Sequence, residues 1–65
     1  MTKQQIGIFI KSVREQKGLT YYEVWKLSGV TNQVQKSIES ATKDYTLRSL
    51  LKVCEALKIS FKISL

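Results

Sequence analysis

Three helix-end signals fall inside residues 19–40 (LTYYEVWKLSGVTNQVQKSIES), and they restrict the fold more than any other part of the chain. Thr20 followed three residues later by Glu23 is a capping box, in which each side chain satisfies a backbone donor left open at a helix start. A helix is therefore predicted to begin near Tyr21. Gly29, between Leu27 and Val30, is a natural stop, because glycine takes the left-handed conformation without steric cost. Thr31 then caps a second helix, predicted over residues 32–40. Its Val34 and Ile38, four apart, mark a buried side. Asn32, Gln33, Lys36 and Ser37 point elsewhere, forming a polar face without a carboxylate.

Two short helices joined by a glycine-containing turn describe a helix-turn-helix, whose second helix commonly enters the DNA major groove. The charge agrees. Eleven Lys and Arg against 5 Asp and Glu give a net charge of +6, which favours nucleic acid or an anionic membrane surface. No apolar run approaches the ~20 residues a spanning helix needs, and residues 1–5 are polar, so a soluble cytoplasmic protein is expected. One cysteine and no histidine rule out an internal disulfide and argue against a cysteine-histidine metal site. With no histidine, no paired acidic motif and no glycine-rich phosphate loop, neither an enzyme nor a cofactor is expected. A chain of 65 residues makes one domain, and at this size folding buries only about 60% of the unfolded surface. Self-association is the remaining device for stabilising it.

The flanking segments supply a scaffold. Thr2 and Gln5 form another potential capping box, and Ile6, Ile10 and Val13 recur at helical spacing over residues 3–17, with Phe9 widening the apolar face and Ile8 off it. Gly18 is the expected cap. In the second helix Val24 and Leu27 are expected inward, with Trp25 beside them. Tyr21 reads either as packing against the first helix or as a phosphate ligand. After a loop over residues 41–45, Thr46 caps a fourth helix whose stripe is Leu47, Leu50, Leu51, Cys54 and Leu57. Cys54 is expected as a small core residue. From residue 59 the period falls to 2, with Ile59, Phe61, Ile63 and Leu65 alternating with Ser60, Lys62 and Ser64, which reads as a strand. A lone strand leaves its backbone unpaired, so it is expected to pair with the same strand of a second copy, the alternatives being that it lies against its own helices or that the chain is a fragment. The predicted organisation is thus all-α: a four-helix domain over 1–58, followed by a dimerising β-strand over 59–65.

With these elements in place the sequence resembles the phage-repressor and Cro type (XRE-like) of helix-turn-helix family over roughly residues 6–60. The resemblance is carried by IKSVREQKGLT (10–20), SGVT (28–31), SIES (37–40) and TLRSLLKVCEALKIS (46–60). It implies that Asn32, Gln33 and Ser37 read bases, Asn and Gln suiting adenine, with Lys36 reaching a base or a phosphate. Thr20, Tyr21, Thr31 and Lys43 match positions that hold the DNA backbone. Arg14 and Glu39 match a structural salt bridge between the first and third helices.

The chain departs from the family where Trp25 replaces a small residue and Gln35 an apolar one. The linked expectation is an indole buried between the second and third helices, with Val34 taking part of the core role; whether Gln35 is buried or contacts DNA is left open by the sequence. Ala41 and Lys58 stand where glycine is common, which predicts less sharply capped helix ends. The function implied is a dimeric regulator, a repressor, of double-stranded DNA. The same fold also serves antitoxins that neutralise a toxin and repress their own gene, and the sequence leaves that alternative open.

Overall fold

The structure, a computed structural model, describes residues 2–59. It contains α1 (Lys3–Gln16), α2 (Tyr21–Ser28), α3 (Asn32–Ser40) and α4 (Leu47–Ala56). Each of these helices starts at a threonine. Thr2, Thr20, Thr31 and Thr46 accept through Oγ1 from the backbone N–H three residues on, at 3.1, 3.2, 3.3 and 3.1 Å. Gln5 and Glu23 return the bond to the cap N–H at 2.8 and 3.0 Å, so both capping boxes are complete. Gly29 adopts φ +77° and turns the chain from α2 into α3.

Two helix ends close without glycine. Ala41 and Lys58 take left-handed φ values of 56° and 58°. The ends stay sharp despite the side chains. The Ala41 N–H donates to Ser37 O at 2.9 Å, and the Ile59 N–H donates to Cys54 O at 2.8 Å. Each Cβ in that conformation costs roughly 1–2 kcal/mol, and the backbone bonds help offset it.

Helix α3 packs against α1, α2 and α4. The buried apolar set is Ile10, Val24, Val30, Ile38, Val53, Cys54 and Leu57, edged by Ile6, Val13, Leu19, Val34, Tyr45, Leu50 and Ile59. Burial pushes the Cys54 thiol above its ordinary pKa, as suits a packing residue. Several expected core positions lie outward instead. Leu27, Leu47 and Leu51 are exposed, and Val53 takes the place on α4 that its two outer leucines were expected to share. A stripe of leucines at helical spacing is wider than the face its neighbours cover.

Ile59 corrects the expected strand at its first residue. Its N–H closes the turn after α4 and its side chain lies at the edge of the core, so it packs against its own helices instead of opening a strand. Phe61, Ile63 and Leu65 lie outside the described residues. Among those described, none forms a strand.

Helices α1 and α3 approach closely at Gly7. A Cβ there would lie 2.5 Å from Glu39 O and 2.6 Å from Ile38 O, both backbone atoms. Glycine is therefore required for α1 to seat on the C-terminal turn of α3. Gly7→Ala is expected to destabilise the domain by about 1–3 kcal/mol, read as a lower midpoint in urea unfolding.

Candidate nucleic-acid interface

The orientation of α3 follows from a buried polar cluster. The Glu39 carboxylate accepts from Arg14 Nε at 2.7 Å and Nη2 at 3.0 Å, and from Gln35 Nε2 at 2.7 Å. Arg14 Nη1 donates to the carbonyl of Leu19, just ahead of α2, at 2.8 Å. The Tyr21 ring lies under the guanidinium, 4.4 Å from its carbon, and the Tyr21 hydroxyl stands 3.5 Å from Glu39 Oε1. The Arg14 and Glu39 side chains are only 11% and 3% exposed. Hydrogen bonding to Glu39 holds the Arg14 pKa above its ordinary value, so the guanidinium stays charged.

Gln35 belongs to this cluster and is fully buried, the inward one of the two placements the sequence left open. Its Nε2 is held by Glu39, while its Oε1 has no hydrogen-bond partner among the described residues. Trp25 is corrected: the indole is 43% exposed and does not fill the space between α2 and α3. It packs instead on Tyr22, ring centroids 5.6 Å apart. Val34 is only half-buried. The amide of Gln35 reaches a charged acceptor along its own helix, at the i, i+4 spacing where side chains meet.

With that side of α3 turned inward, Asn32, Gln33 and Lys36 are exposed on the other. The Asn32 and Gln33 amides meet no hydrogen-bond partner among the described residues. Ser37 is withdrawn. It is 8% exposed and its hydroxyl donates to Gln33 O at 2.9 Å, so its outward placement is corrected. Lys36 extends back over α2, its Nζ 5.5 Å from the Tyr21 ring centre. Thr31 and Thr20 are exposed but engaged as caps. Lys43 is exposed in the loop between α3 and α4.

The electrostatics around α3 are one-sided. Glu39 is neutralised by Arg14, and Glu23 folds back on the N–H of Thr20. The backbone donors of the first turn of α3 add a partial positive charge where an anion would approach. The arrangement offers amide donors and acceptors at the head of a helix, flanked by cations. That chemistry reads base edges and holds phosphates.

Residues 10–62 match the family model of the Cro/C1-type HTH DNA-binding domain, and the chain belongs to that family. A comparison with curated proteins found no match. No helix among the described residues is long and apolar enough to cross a membrane.

The polar cluster gives two expectations. Arg14→Met strands the buried carboxylate of Glu39 and should cost about 3–5 kcal/mol in chemical denaturation, most of it recovered when Glu39→Leu is added. Gln35→Leu removes a charge-assisted bond to the same carboxylate along with the orphaned Oε1, and should lower stability by about 1 kcal/mol in thermal melts.

Proposed function

We propose that this protein is a sequence-specific transcriptional repressor that binds a pseudo-palindromic operator as a dimer, with α3 in the major groove. The observation that carries this reading is the exposed, acid-free first turn of α3. There Asn32 and Gln33 have uncommitted amides, in a family member with a net charge of +6. Asn32 and Gln33 are assigned to bases. Lys36 is assigned to a base or a neighbouring phosphate. Thr20, Thr31 and Lys43 are assigned to the backbone of the duplex. Tyr21 joins them through a hydroxyl held only loosely by Glu39, at 3.5 Å.

Dimerisation rests on two supports. Leu47 and Leu51, one turn apart on α4, leave apolar surface uncovered in the single chain. The alternation of Phe61, Ile63 and Leu65 with polar residues is the pattern of a pairing strand. Two copies would place their recognition helices about 34 Å apart, one helical turn of DNA.

Selection from a random duplex library, followed by mobility-shift competition, tests the reading. It should return a two-fold symmetric site. Gln33→Ala should relax preference at one base pair of each half-site, by about 1–3 kcal/mol of lost discrimination. Lys43→Ala should weaken all duplexes alike. With roughly four phosphate contacts per subunit, log affinity should fall against log salt with a slope near −7. Unchanged base preference in Gln33→Ala would remove that residue from the reading set.

A further inference from the structure

Tyr22 and Trp25 carry exposed aromatic surface that the packing of the domain does not use. They lie three apart on α2, with 55% and 43% of their surface accessible, and lean on each other at 5.6 Å between ring centres. Holding two large rings in water is unfavourable, and adjacent exposed apolar surface marks an interaction site. The turn at Gly29 brings the start of α3 beside them. Tyr22, Trp25, Thr31, Asn32 and Gln33 together line an open groove of about 390 Å³. One wall is therefore aromatic and the other is the first turn of the recognition helix.

The chemistry of that groove suits DNA. No acidic residue lines it, and Lys26 sets its ammonium 5.5 Å from the Tyr22 ring centre, a cation at the rim of the aromatic wall. The faces of the rings match deoxyribose and the 5-methyl group of thymine, the apolar feature of the major groove. The tyrosine hydroxyl and the indole N–H are donors of the kind that phosphate oxygens accept.

We propose that Tyr22 and Trp25 form an aromatic shelf that extends the DNA interface beyond α3, packing on sugar and thymine methyl groups next to the base pairs read by Asn32 and Gln33. This assignment rests on the DNA-binding reading above and adds specificity-determining residues from α2. The shelf selects thymine at positions that the amides of α3 do not reach.

Trp25 is the only tryptophan of the chain, so its fluorescence reports on the shelf directly. The test uses the intact protein and a fluorescein-labelled duplex selected from a random library, with binding followed by anisotropy of the label. Acrylamide quenching of Trp25 is measured in the same samples. Binding should shield the indole several-fold from acrylamide. Replacing thymine by uracil in the duplex should weaken the native protein about fourfold for each methyl contacted. Trp25→Ala should weaken binding about tenfold and lose the thymine–uracil difference. The wild-type measurements stand whether or not the variant folds. If anisotropy reports binding while quenching, the uracil duplex and Trp25→Ala leave every value unchanged, the shelf is overturned and the DNA-binding reading survives. If no duplex is retained, both fall. Shielding that grows with protein concentration in the absence of DNA, and not with duplex, would assign the shelf to a second copy and overturn the proposal.

Discussion

The carboxylate of Glu39 fixes the relation between α3 and the rest of the domain. It is buried, so it persists as a charge only with partners on every open side. Arg14 of α1 supplies a two-pronged bond, Gln35 supplies another from within α3, and Tyr21 closes the side toward α2. Arg14 also holds the Leu19 carbonyl that leads into α2. One ion pair thus ties together three helices and the turn between two of them. Gly7, Ile10 and Arg14 share the face of α1 that carries this contact, and all are buried. The glycine permits close approach, the isoleucine contributes apolar burial and the arginine sets the register.

This arrangement explains how α3 presents its polar side. A buried pair of this kind is weak evidence for net stability, because desolvation cancels much of the attraction. Its geometry is nonetheless demanding. With Gln35, Ile38 and Glu39 drawn inward, Asn32, Gln33 and Lys36 remain exposed. The inward placement of Gln35 also bears on Trp25. Gln35 is buried with a strong partner on its own helix, and the indole of Trp25 takes an exposed place beside Tyr22. The departure from the family's packing therefore becomes exposed aromatic surface beside the first turn of α3.

Local features were legible in the sequence because their physics is local. The threonine caps, the Gln5 and Glu23 replies and the left-handed Gly29 depend on residues within one turn of each other, and the helix boundaries followed to within a residue. Periodicity identified Ile10, Val24, Ile38, Cys54 and Leu57 as core. It gave no way to separate them from Leu27, Leu47 and Leu51, since a hydrophobic pattern records which side chains favour burial and not which ones a neighbouring helix covers. Gly7 carried no signal, because a glycine inside a helix signifies close approach only once the other backbone is known.

The sequence by itself determined the four helices, the positive charge and the helix-turn-helix at residues 20–40, through short-range hydrogen bonding and composition. Tertiary structure alone decided that Gln35 lies inside and Trp25 outside, and that Ser37 is withdrawn while Gln33 stands free. Those outcomes depend on competition among distant groups for one buried carboxylate and one helix–helix contact. Such competition is settled by three-dimensional proximity, which spacing along the chain does not encode.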